Sequence, residues 1–119
     1  PSRMRLSKVD KEFLRDLQKA MDKELSDPDL NVEGLSKQLY MSRTTLYRKI
    51  QALSGDSPTD FIRAYRLKRA LKMLKSGYDS VTEVAFEVGF ASRAYFTKCF
   101  KEKFDRLPSD YLSAGAEES

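Results

Sequence analysis

The chain has 119 residues, 40% of them hydrophobic and 34% charged, with a formal net charge of +4, which suits one folded domain with a well-solvated surface. It has no His and a single Cys, Cys99, which excludes imidazole-based catalysis, a Cys or His metal site and an internal disulfide framework. The five glycines form no phosphate-cradling loop, and neither a membrane-spanning apolar run nor a signal-peptide pattern is present. The chain is therefore expected to be no enzyme, to need no cofactor or metal, and to make no membrane contact through this fragment. The lone thiol suits a reducing cytoplasm. A start at Pro1 without Met marks the sequence as the expected C-terminal piece of something larger.

Every long periodic segment reads as helix. The first is expected over residues 10–25, where Leu14, Leu17, Met21 and Leu25 fall on one stripe before Ser26-Asp27-Pro28-Asp29 stops it. A short helix follows over residues 32–39, with Asn31 as its N-cap. Ser42 caps a third helix reaching about Leu53, and Gly55 ends it. Ser57-Pro58-Thr59-Asp60 opens the longest helix with a cap, a proline at the first helical position and an acidic residue suited to the dipole. That helix runs to Ser76, with Gly77 as terminator. Ser80-Val81-Thr82-Glu83 is a capping box opening a short fifth helix that Gly89 ends. Ser92 caps a sixth helix reaching about Phe104, and Pro108 starts a last turn to about Leu112.

The organisation expected from this is all-α. Residues 1–9 form a linker, 10–56 the N-terminal helix and a first helix-turn-helix, 57–77 a linker helix, 78–113 a second helix-turn-helix, and 114–119 a flexible tail. An internal repeat supports the two units. Val32, Leu35, Leu39 and Met41 recur 49 residues later as Val81, Val84, Val88 and Phe90. After one added residue, Ser42, Arg43, Leu46, Arg48, Ile50 and Pro58 recur 50 residues later as Ser92, Arg93, Phe96, Lys98, Phe100 and Pro108. A short helix, a tight turn and a longer serine-capped helix thus occur twice, which is the helix-turn-helix layout.

Periodicity assigns the faces. Leu46, Ile50 and Leu53 turn inward on the third helix, leaving Thr44, Arg48 and Gln51 outward, flanked by Thr45 and Tyr47. Phe96, Phe100 and Phe104 turn inward on the sixth, leaving Ala94, Lys98 and Lys101 outward, flanked by Tyr95 and Thr97. These residue types suit major-groove edges: Arg is bidentate to guanine, Gln addresses adenine, and Thr or Ala methyl groups meet the thymine methyl. Ser42 and Ser92, at helix N-termini, can bond phosphates. Residues 43–104 hold thirteen basic and six acidic residues, whereas residues 1–42 balance at eight each, so the basic density sits in the middle of the chain, as a polyanion partner requires. Cys99 reads as a small buried apolar residue. Phe61, Ile62, Tyr65, Leu71 and Leu74 on the long helix read as core, and Arg63, Arg66, Lys68, Arg69, Lys72 and Lys75 as mostly solvated charge, one or two of them near the phosphate backbone. A long helix starting at Pro58 spans roughly 28 Å, close to the roughly 34 Å between successive major grooves on one side of a duplex; a shorter spacing would bend the DNA. A non-specific nucleic-acid binder and a helical protein-interaction module remain alternatives at this level.

The sequence also resembles the C-terminal DNA-binding domain of the AraC/XylS family of bacterial transcription regulators. The resemblance rests on Leu35-Ser36, Met41-Ser42-Arg43 and Leu46-Tyr47-Arg48-Lys49, then on Pro58, Phe61-Ile62, Arg66-Leu67, Ala70 and Leu74. Its densest part is Val84-Ala85-Phe86-Glu87-Val88-Gly89-Phe90 with Ser92, Tyr95-Phe96, Phe100-Lys101, Phe104, Pro108 and Tyr111. It implies a homeodomain-like array of about seven helices in two subdomains, and base contacts from Thr44, Tyr47 and Arg48 and from Arg93, Ala94, Thr97 and Lys98. It further implies double-stranded DNA and RNA polymerase as partners. The sequence departs from the family pattern at Tyr40 and Asp105, where glycine is usual, at Leu112, where a basic residue is common, and at Ala94, where a polar contact is often found. Tyr40 is thereby expected to adopt a strained positive φ. Met41-Ser42-Arg43 through Lys49 and the preceding Phe13-Leu14 helix are similar to output domains of hybrid two-component regulators in Bacteroides-like bacteria, which implies upstream sensor or receiver domains and control of carbohydrate-use genes.

Overall fold

The computed structural model describes residues 6–112. The tail expected over residues 114–119, and residues 1–5 of the expected linker, lie outside it. The architecture is all-α: α1 (Lys8–Lys23), α2 (Val32–Gln38), α3 (Arg43–Ser54), α4 (Pro58–Lys75), α5 (Val81–Glu87), α6 (Arg93–Phe104) and a closing 3₁₀ turn (Pro108–Tyr111). Six α-helices and one 3₁₀ turn thus stand where about seven helices were expected. Among the described residues no helix is long and apolar enough to cross a membrane.

The duplication is exact in length. Helices α2 and α5 have seven residues each and start 49 apart; α3 and α6 have twelve each and start 50 apart. Five of the six helices carry the side-chain caps read from the sequence, with Asn31, Ser42, Ser57, Ser80 and Ser92 each accepting a first-turn amide. Helix α1 departs from expectation. Ser7 caps it by accepting the Asp10 N–H at 3.0 Å, so it starts two residues early. It ends at Lys23, and Leu25 leaves its stripe to pack elsewhere, while Phe13 and Ala20 join Leu17 and Met21 on the buried face.

Each short helix ends in the same Schellman turn. The Met41 N–H bonds the Ser36 carbonyl at 3.1 Å, and the Phe90 N–H bonds the Ala85 carbonyl at 2.9 Å. This geometry requires a left-handed residue just before the apolar one, and the two units supply it differently. Gly89 has φ +92, and a Cβ there would fall inside the Arg66 guanidinium and against the Leu25 carbonyl. Tyr40 has φ 55 with its ring 94% exposed, so the strain expected from the missing glycine is present and no packing offsets it. Asp105 takes φ 59 as the C-cap of α6, a conformation a short polar side chain tolerates.

Two apolar clusters hold the fold. The first joins Phe13, Leu17 and Met21 of α1 to Leu35, Leu46, Ile50 and, from α4, Ile62. The second joins Leu67, Ala70 and Leu74 of α4 to Val81, Val84, Val88, Phe96 and Phe100. Leu25 belongs to the second cluster although it follows α1, so the chain after the first helix reaches across to the other unit. Phe96 and Phe100 are fully buried with ring centroids 5.6 Å apart; Phe104 is only half-buried, 4.7 Å from Phe100. Cys99 is buried beside them. On α4, Ile62 and Leu74 are buried as expected, while Phe61, Tyr65 and Leu71 are half-buried at the cluster edges.

The largest correction concerns Arg66. It is not solvated but 6% exposed, and its guanidinium donates to the carbonyls of Leu25, Val88 and Asp27. Burial pushes its pKa down. Nearby, the Tyr65 hydroxyl donates to Asp22 Oδ1 at 2.7 Å, and Arg69 Nε lies 4.0 Å from the same carboxylate, tying α4 to α1.

Replacing Tyr40 with Gly removes the left-handed strain without removing packing, and should raise stability by about 1 kcal/mol in denaturant unfolding. Burial, and then the bond to Asp22, raise the Tyr65 pKa from 10.0 to about 12. The neutral phenol therefore stabilises the fold fully below pH 10, and that contribution is lost as pH rises through 12. In a tyrosinate absorbance titration, one of the six tyrosines should ionise last, and Tyr65→Phe should remove that step.

Candidate nucleic-acid interface

Helix α3 is positioned by Leu46 and Ile50, both buried, and its other side is open. Arg43, Thr44, Tyr47, Arg48 and Gln51 recur at the spacing of one helical face and line a single shallow depression of about 520 Å³ with Val32. Tyr47 is 45% exposed. Thr45 stands apart. It is half-buried, and its Oγ1 is 3.0 Å from Ser42 Oγ, which also accepts the Thr45 N–H. Ser42 and Thr45 thus hold the helix start in place, with the Ser42 hydroxyl already engaged.

Helix α6 repeats the plan with differences. Phe96, Cys99 and Phe100 anchor it, and Ala94, Lys98 and Lys101 are exposed at successive turns. Thr97 is half-buried. Ser92 accepts the Tyr95 N–H at 3.0 Å, and Arg93 Nη1 donates to Thr82 Oγ1 at 3.0 Å, fastening the start of α6 to α5. Tyr95 is 48% exposed, with its ring 5.9 Å from Phe90. The Cys99 thiol, one turn on, raises the Tyr95 pKa, partly countered by Arg63 across the gap from α4.

The starts of the two helices are related by a cleft of about 640 Å³ between the units. Arg43, from the start of α3, and Tyr95, from the start of α6, both line it; Arg63, Arg66 and Gly89 are also among its lining residues. The N-terminal ends of α3 and α6 therefore open onto the same side of a molecule measuring 47 × 33 × 21 Å. The sequence reading placed Arg63 among solvated charges and did not single out this cleft. The available signal was its place next to buried Ile62, which turns Arg63 to the edge of the inward stripe rather than away from it. Among the described residues no cluster of His, Cys, Asp or Glu has the make-up of a metal site.

Residues 35–114 match a family profile described as a helix-turn-helix domain. This chain belongs to the AraC-type helix-turn-helix DNA-binding domains of transcription regulators, a non-catalytic module. It is 35% identical over 118 residues to "Histidine kinase P4" of Formosa agariphila, covering 99% of this chain and 9% of that protein. Among solved structures, it is similar to the C-terminal domain of AraT, a response regulator from Geobacillus stearothermophilus, with 27% identity, a TM-score of 0.72, and 94% of this chain and 93% of that one covered. It is likewise similar to the DNA-binding domain of AdpA in complex with a target DNA, at 28% identity and a TM-score of 0.70, over 82% of this chain and 87% of that one. The chain spans between 9% and 33% of the length of the curated relatives it matches first.

Because Arg48 and Lys98 are exposed, replacing either with Ala should change unfolding free energy by no more than about 0.5 kcal/mol. Matching denaturation midpoints for the variants and the parent chain check this, and make their binding defects interpretable as interface effects.

Proposed function

We propose that the chain reads double-stranded DNA sequence-specifically, with α3 and α6 entering successive major grooves on one side of the duplex. The observation that carries the reading is the pair of open helix faces, repeated at an offset of 50, on two helices whose N-terminal residues Arg43 and Tyr95 line one shared cleft. On α3, Arg48 and Gln51 supply the hydrogen-bonding edges and Thr44 and Tyr47 the flanking contacts. On α6, Lys98 and Lys101 supply charge and Ala94 a methyl surface, so the second groove is read by fewer directed bonds. Ser42, Thr45 and Ser92 present the helix N-termini, whose free amides suit phosphates, and Arg43, Arg93, Tyr95 and Thr97 flank the two faces. The 47 Å long dimension of the molecule accommodates two faces about one duplex turn apart.

The chain acts as the output domain of a longer bacterial regulator in the cytoplasm, joined to sensor or receiver domains. Its near-complete match to a small share of a histidine kinase supports this, as does its likeness to a response-regulator C-terminal domain. RNA polymerase is then the second macromolecular partner. The likeness to hybrid two-component regulators extends the reading to carbohydrate-use genes.

The test begins with selection of a bound sequence from random duplexes. Binding should weaken steeply with salt, since each neutralised phosphate releases counterions. Arg48→Ala should reduce discrimination between the selected duplex and random DNA by about 1–3 kcal/mol. Failure of selection to converge on any sequence, or equal losses on selected and random DNA, would sink the claim of base readout.

A further inference from the structure

We infer that Arg66 is a positioning residue for DNA recognition: it fixes the placement of one helix-turn-helix unit relative to the other, and so the half-site spacing the chain accepts. The inference rests on the two-groove reading above. Among the described residues Arg66 is the one charged side chain that is buried, and its partners come from both units. Leu25 and Asp27, to whose carbonyls it donates, lie in the segment that leads from α1 into α2. Val88, to whose carbonyl it also donates at 2.6 Å, is the C-cap of α5, just ahead of the turn into α6. The bond to Asp27 is 3.0 Å.

A guanidinium is planar with its donors in a fixed fork. Carbonyls bound to one such plane cannot shift relative to each other without leaving a buried polar group unpaired, which is costly. Helix α4 sets the separation of the units along its axis, but by itself leaves them free to rock about it. The Arg66 plane removes that freedom at the floor of the cleft whose walls carry Arg43 and Tyr95. Gly89 completes the device, because any side chain there would occupy the guanidinium's position. None of these bonds touches either outward face, so the effect on DNA runs through geometry alone.

The experiment uses the full chain, a duplex selected by it from random sequence, the same duplex with about two base pairs inserted between half-sites, and a duplex retaining one half-site. Arg66→Lys keeps the charge but cannot hold three carbonyls in one plane. Its affinity for the single half-site should stay within about threefold of the parent chain, while the full site weakens about tenfold or more, because linked binding depends on geometry. The penalty the parent chain shows for the insertion should shrink. Arg66→Met, which keeps a long apolar stem on the inward stripe but has no donors, should give the same pattern. Equal weakening on half-site and full site, an unchanged insertion penalty, or loss of helical signal in either variant would overturn the inference; the last outcome assigns Arg66 to the folding of each unit. If the parent chain itself binds half-site and full site equally, the two-groove reading fails first.

Discussion

A buried guanidinium is the constraint around which the rest of the molecule is arranged. Arg66 sits on the inward stripe of α4, in line with Ile62, Ala70 and Leu74, where an unpaired charge would be severely unfavourable. Three main-chain carbonyls solve that problem, and supplying them dictates much else. The segment after α1 must cross to the second unit, and Leu25 enters its core. The turn after α5 must carry no side chain, so residue 89 is glycine. The cleft between the units is lined by Arg66 and Gly89, and by Arg43 and Tyr95 from the starts of α3 and α6. Among the described residues no buried side-chain nitrogen or oxygen lacks a hydrogen-bond partner.

Around this hub the fold repeats one local device twice. A Schellman turn closes a seven-residue helix, a serine one or two residues beyond the turn's apolar member caps the next helix, and aromatic or aliphatic residues on successive turns bury the far side. The local chemistry leaves one side of α3 and of α6 with no packing role. On α3 that side holds Arg43, Thr44, Tyr47, Arg48 and Gln51 together in one depression.

What the sequence made legible was governed by short-range chemistry. Caps at Asn31, Ser42, Ser57, Ser80 and Ser92 involve amides three residues away, and apolar spacing set the buried faces of α3 and α6, so these elements could be read directly. The strained Tyr40 was foreseeable from the family's usual glycine. Long-range bonds were the blind spot. Arg66 reads as solvated because arginine usually is, although its spacing of four from both Ile62 and Ala70 puts it on the core stripe; its partners lie 22 to 41 residues away. Leu25 fits the α1 period and still leaves the helix, because the second cluster offers it better burial. Thr45 sits at the boundary of the periodic stripe, half-buried and bonded to the Ser42 hydroxyl. The cleft joins residues from four separate stretches of chain, and no local pattern announces such a space.

The two Schellman turns, identical in hydrogen bonding, leave the duplicated halves unequal in what they can become. Position 89 is closed to side chains by the Arg66 guanidinium, by the Leu25 carbonyl and by its own φ of +92, so the second half is fixed at that corner. Position 40 is sterically open and limited only by backbone preference. New surface chemistry can accumulate there, just ahead of α3 and not of α6, by single substitutions that leave the interior undisturbed. Divergence among descendants of this chain is thereby channelled to its first half.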